Sequence, residues 1–157
     1  MKTKDAAGQF LACRRIAVTG VSRTPGSHGG NAVYRRPRER GYEVFAVNPN
    51  AQTVEGDPAY PNLTSIPGGV EAVVVATAPR HVDATVHEAC DLGLTQIWMH
   101  RSIDKGSVSD SATQYGREHG ATVIDGGCPL MYDPAADGAH KVMCRLFTLM
   151  GRVPRQV

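Results

Sequence analysis

An apolar run, Arg15-Ile-Ala-Val-Thr19, leads into a loop carrying Gly20, Ser22, Gly26, Gly29 and Gly30, and Asn31 then opens a helix. Backbone N–H groups in such a loop and in the first turn of the next helix lack intrahelical partners, so the segment is suited to hold phosphate. Gly20, Val21, Ser22, Arg23, Gly29 and Asn31 are the ligand-binding candidates there, although glycines also serve plain turns and Ser22 and Asn31 also serve as turn and cap residues. A second chemical centre is Cys128, between Gly126-Gly127 and Pro129. Its thiol could be a nucleophile, could form a mixed disulfide with a thiol ligand, or could be a small half-buried hydrophobe. Nucleophilic catalysis needs a base within reach, and no spacing singles out His28, His81 or His100. Close-spaced pairs of zinc ligands are absent, so no metal is expected.

A dinucleotide loop calls for G-x-G-x-x-G after the first strand and an acid at the end of the second. Here Gly20, Ser22 and Pro25 occupy the three glycine positions, and Glu43-Val-Phe-Ala-Val47 ends in Asn48-Pro49-Asn50. NAD is demoted by both departures.

The elements that position these residues follow from periodicity. Asn31 to Arg40 reads as a helix closed by Gly41, with a kink or late start because an interior Pro37 costs roughly 3 kcal/mol. Glu43 to Val47 is a second strand, and residues 50 to 69 an irregular crossover with one helical turn near Leu63 to Ile66. Glu71 to Thr77, Gln96 to Met99 and Ala121 to Asp125 complete five strands. Helices are expected over Arg80 to Leu92, after Ser107 and Asp110, and after Asp137, the last with Val142, Met143, Leu146, Phe147 and Met150 on one face. This alternation predicts an α/β, Rossmann-like three-layer sandwich: a mostly parallel five-stranded sheet with helices on both faces. Ligand then lies beyond the carboxyl ends of the strands, where the loops at Gly20 to Asn31, Asn48 to Asn50, Ala78 to Arg80, His100 to Lys105 and Gly126 to Asp133 converge.

Composition narrows the ligand. The 157 residues fit a single domain, with 13–151 as its core and 1–12 and 152–157 peripheral. A net charge of +2 argues against nucleic acid, while thirteen of the 17 basic residues are Arg, suited to bidentate phosphate contact. Four cysteines without C-x-x-C spacing and a start without a signal-peptide pattern lead to the expectation of a cytoplasmic protein with no membrane partner.

In this order the loops resemble the CoA-binding domain family, small Rossmann-like proteins related to the amino-terminal domain of the succinyl-CoA synthetase alpha subunit. The resemblance rests on Gly20-Val-Ser22 with Asn31, Val47-Asn48-Pro49, Gly56 with Tyr60 and Leu63, Thr77-Ala-Pro79, Trp98-Met99 and Gly126-Gly127-Cys128-Pro129. It implies that coenzyme A or an acyl-CoA lies with its phosphates on the first loop and its adenosine end by Asn48, Pro49, Thr77, Pro79, Met99, His100 and Arg101, with Cys128 and Pro129 at the same edge. Electrostatics agrees: an acid after the second strand would repel the phosphates of coenzyme A, and neutral Asn48 does not. Family members often carry a Lys in the first loop, where this chain has Gly26-Ser27, and Gln-Gly after the fourth strand, where it has His100-Arg101-Ser102. Arg23 and Arg101 are the expected replacements.

Three readings stay open. The chain is a non-catalytic CoA carrier or sensor, an enzyme using Cys128 on a CoA thiol or thioester, or an NAD(H)-binding regulatory domain. The synthetase reaction is not expected, because the resemblance covers the nucleotide-binding domain alone. The last helix could pack its apolar face inward or form a homodimer.

Overall fold

The computed structural model describes residues 1–24, 29–101, 106–136 and 138–157. In chain order the elements are α1 (Thr3–Ala12), β1 (Arg15–Thr19), α2 (Gly29–Glu39), β2 (Glu43–Val47), β3 (Thr53–Val54), β4 (Asp57–Tyr60), β5 (Ala72–Val75), α3 (Val82–Asp91), β6 (Gln96–Met99), α4 (Asp110–Glu118), β7 (Thr122–Asp125) and α5 (Gly138–Leu149). The five expected strands lie parallel, and the order β3-β4-β2-β1-β5-β6-β7 makes β1 the strand at which winding reverses. Each is short and apolar because both faces of a parallel sheet are covered by helices. Ile16 and Val18 of β1 face the α1, α2 and α5 layer, and Ala17 faces the α3 and α4 layer with Val73 and Val75.

The sheet has seven strands and not five. The crossover after β2 holds a small hairpin in which β4 pairs parallel to β2 through Ala46↔Ala59 and Val47↔Tyr60, and β3 pairs antiparallel to β4. Acidic groups at this hairpin tie it to α2: Tyr34 donates to Asp57 at 3.0 Å, and Arg38 pairs with the same carboxylate. Burial and then the bond to Asp57 push the Tyr34 phenol up to about 12. Leu63 and Ile66 are buried in a turn, not in the expected helical turn.

The amino-terminal segment corrects the sequence reading most. Residues 1–12 are not peripheral: α1 carries Asp5 in its first turn and buries Ala6, Ala7, Phe10 and Leu11 against the sheet. Phe10 meets Trp98 edge-on at 5.3 Å between ring centres. Nor is the tail loose, since Val153 is buried, Thr3 donates to the Pro154 carbonyl at 2.7 Å, and Lys2 bridges Gln156.

Other boundaries moved for local reasons. α2 starts at Gly29, so the late start expected from Pro37 does not occur; Pro37 lies in the last turn, with only two residues of the helix beyond it. Ser109, not Ser107, caps α4 by accepting from the Ala112 N–H, while Ser107 donates to the Thr77 carbonyl. α5 buries Phe147 and half-buries Met143, but Val142, Leu146 and Met150 are exposed, so the expected apolar face is split. Asp137, the expected cap of α5, lies outside the described residues. No helix among the described residues is long and apolar enough to cross a membrane.

The core role of α1 makes a specific prediction. Phe10→Ala should lower the unfolding free energy by about 3–5 kcal/mol, read from urea titrations; a loss under about 1 kcal/mol would return α1 to the periphery.

Candidate functional site

A cavity of about 620 Å³ opens at the carboxyl ends of β2, β1 and β5, on the strand where winding reverses. Of the residues singled out from sequence, Gly20, Val21, Ser22, Arg23, Asn48, Pro49 and Thr77 line it.

Gly20 fixes the geometry. It has φ +73°, and a Cβ there would land on the Ala76 carbonyl at the end of β5, so no other residue allows β1 and β5 to approach this closely. Its N–H donates to the Val47 carbonyl at 3.2 Å, tying the loop to β2 as well. Gly30 packs over it, with a hypothetical Cβ 3.1 Å from the Gly20 oxygen, which lets the start of α2 close onto the strand ends.

The polar side chains of this region hold the loops to one another. Asn31 is fully buried and clamps Ser22, accepting from its N–H at 2.9 Å and donating to its carbonyl at 3.0 Å. Its amide also donates to Glu55 at 2.6 Å. The Ser22 hydroxyl accepts from the Thr24 N–H, and Asn48 donates to the Val21 carbonyl at 2.8 Å while accepting from the Asn50 N–H. Asn48 thus does more than stay neutral: an aspartate in its place would lose the donor that holds the first loop against the second.

The remaining expected residues are placed elsewhere. Pro79 opens a short 3₁₀ turn ahead of α3 and is exposed beside the cavity, outside its lining. Gly29 and Asn31 lie behind the loop, with the His100 ring packed against Gly29. Met99 is buried within β6, and His100 and Arg101 are held by backbone bonds to Val75 and Gly127. Cys128 is 5% exposed in the apolar core with Leu130 and Met131, and Pro129 begins the buried turn that follows. Cys128 is thus more buried than the half-buried hydrophobe expected. Of the candidate bases, His28 lies outside the described residues. No group of metal-ligating side chains gathers among the described residues.

The cause of this division is the carboxyl-terminal segment. Gly126 lies against the Arg152 carbonyl and Gly127 against Val153, so the chain covers its own strand end beyond β7. Trp98 closes the same corner by donating to the Gly126 carbonyl at 3.0 Å. Among the described residues, the ends of β2, β1 and β5 line a cavity while the end of β7 is covered.

Arg80, the last residue of an expected loop, and His81, one of the candidate bases, reach this cavity together with Ala84, Thr85 and Glu88 of α3, which the sequence reading passed over. Arg80 and His81 line the cavity from the start of α3, with the Arg80 Nε donating to the His81 Nε2 at 3.1 Å, and Arg23 stands on the facing loop. Glu88 also lines it, with one carboxylate oxygen engaged by the N–H and hydroxyl of Thr64. Ala84 lies one helical turn from Arg80 on the same wall, the signal that could have marked the start of α3 as part of the site. The result is a polar cleft with two guanidinium groups at its rim, suited to phosphate.

Comparisons with known proteins give the family and the fold. A sequence model of the CoA binding domain matches residues 14–134. The uncharacterized protein YneT of Bacillus subtilis is 29% identical over 111 residues, 71% of this chain and 78% of that protein. Acetate–CoA ligase (ADP-forming) II of Archaeoglobus fulgidus is 30% identical over 83 residues, 52% of this chain and 12% of the ligase, so the chain spans a small part of that enzyme. Among solved structures, a hypothetical protein from Pyrococcus horikoshii shares the fold with a TM-score of 0.74 at 25% identity, covering 83% of this chain and 88% of that one. The apo dinucleotide-forming acetyl-coenzyme A synthetase 1 of Candidatus Korarchaeum cryptofilum shares it at TM-score 0.61 and 23% identity, over 73% of this chain and 26% of the synthetase. From the strand that precedes the glycine loop to the turn beyond β7, the matched residues take in the whole open edge of the sheet, and the chain belongs to the CoA binding domain family.

Proposed function

We propose that this chain binds coenzyme A or an acyl-CoA in the cavity at the ends of β2, β1 and β5, as a carrier or sensor. The observation that carries the reading is the cavity itself: its about 620 Å³ lies within the range of small-ligand sites, and it joins a glycine-built loop, an acid-free β2 end and the arginines Arg23 and Arg80. Phosphates would lie by the first loop and the two guanidinium groups, and the adenosine end would lie toward Asn48, Pro49 and Asn62. The related ligase and synthetase are named for chemistry on coenzyme A, which supports the ligand class. Burial of Cys128 in the apolar core supports holding a ligand over thiol chemistry on it, because a reactive thiolate needs an accessible, electropositive setting.

The decisive experiment is isothermal titration of the reduced protein with coenzyme A and, separately, with NAD. Saturable binding of coenzyme A and none of NAD is expected; binding of NAD alone would replace this reading with the dinucleotide one. Ala84→Trp projects an indole into the cavity from an exposed position on α3 and should abolish binding while leaving the unfolding midpoint unchanged. Arg80→Ala removes one charge-assisted contact and should weaken binding about tenfold.

Asn48→Asp tests the end of β2. Loss of the donor to Val21 and the added charge should weaken coenzyme A binding by at least about tenfold in the same titration. Unchanged affinity would show that the ribose phosphate at the adenosine end does not approach the loop after β2.

A further inference from the structure

A second cleft, of about 720 Å³, lies between α1, α5 and the carboxyl-terminal segment, and apart from Met131, Tyr132 and Asp133 its lining falls outside the residues matched by the family. Among the described residues it shares no lining with the cavity at β2, β1 and β5. Its apolar surfaces come from Met131, Tyr132, Cys144 and Pro154. Lys2, Lys4, Lys141, Arg145 and Arg155 surround these, and Asp133 is the one acid among the described lining residues. Asp133 pairs with Lys141 at 2.9 Å, while Lys2, Lys4, Arg145 and Arg155 have no ion-pair partner among the described residues.

Gathering four uncompensated cations around one concavity is electrostatically unfavourable for the protein alone, and low-dielectric walls focus the resulting positive potential into the cleft. Such an arrangement is relieved by an anion. The apolar floor adds a second requirement, since a bare inorganic anion would leave it in contact with water, whereas a molecule with an apolar body would cover it. The Tyr132 hydroxyl stays protonated, because burial and the neighbouring Cys144 push its phenol up, so it adds no competing negative charge.

We infer that this cleft is a second ligand site, for a small amphipathic organic anion: a carboxylate or phosphate held by Arg145 and the amino-terminal lysines, with an apolar tail on Met131, Tyr132 and Pro154. Its volume falls within the roughly 300–1,000 Å³ of small-molecule sites, which favours such a ligand over a protein segment. The site lies where the core of the family ends, so it is an attribute of the flanking helices.

Titration with octanoate tests it, with octanol and inorganic phosphate as separate arms. Saturable binding of octanoate, with octanol and phosphate each at least tenfold weaker, is the expected result. Arg145→Glu combined with Lys4→Glu should weaken octanoate binding at least tenfold with an unchanged unfolding midpoint, and Thr148→Trp should block it without changing charge. No saturable binding of octanoate would overturn the inference, as would equal binding of phosphate, an unaltered affinity in the charge-reversed variant, or binding of an acidic peptide in place of octanoate.

Discussion

The close approach of β1 and β5 at their carboxyl ends is the constraint on which the rest of the site depends. Gly20 makes it possible, since its left-handed backbone and missing side chain bring the strand end against Ala76. Because the winding of the sheet reverses at β1, the loops on its two sides diverge to opposite faces and leave a crevice between them. A side chain at Gly20 would push β5 away and take with it Thr77, Ala78 and Arg80, the far wall of the cavity.

Rigidity of that crevice comes from side chains a sequence reading assigns to ligand. Asn31, Asn48 and Ser22 spend their hydrogen bonds on the backbone of neighbouring loops. Those bonds preorganise the loops, so less conformational entropy is lost on binding. Asn31 shows why the residue type matters: it accepts from one Ser22 backbone group and donates to the other, and an ionised aspartate, which only accepts, could not do both in its place.

Most of the fold was legible because the parallel strands are short apolar runs bounded by turn residues. Glu43–Val47 and Gln96–Met99 occur with the boundaries their hydrophobicity implies. What was not legible has physical causes. In α1, Gly8 and the charged Lys4 and Asp5 dilute a pattern whose apolar content is mainly alanine, and its importance lies in Phe10, whose partner Trp98 is far away in sequence. The β3–β4 hairpin has strands of two and four residues and includes Pro58, too little for periodicity to register. The candidate site was read as five converging loops, and the cavity is built from those after β1, β2 and β5, with Pro61 and Asn62 from the turn after β4. His100, Arg101, Cys128 and Pro129 do follow parallel strands, as the topology requires, but nothing in the local sequence records that Arg152 and Val153 return to pack on Gly126 and Gly127.

That return divides the molecule's chemistry. A parallel sheet presents all its strand ends at one edge, and an uncovered edge of this width would leave Trp98 and the Gly126–Cys128 segment exposed to water. The carboxyl-terminal segment prevents this, and it needs α1 to hold it: Thr3 donates to Pro154, Lys2 pairs with Gln156, and Phe10 supports Trp98 from beneath. Closing one half of the edge therefore draws both chain ends together on the α1 and α5 side, where their basic residues collect around the second cleft. The open cavity and the cationic cleft are consequences of the same covering segment, one lying beyond its reach and the other formed where it is anchored.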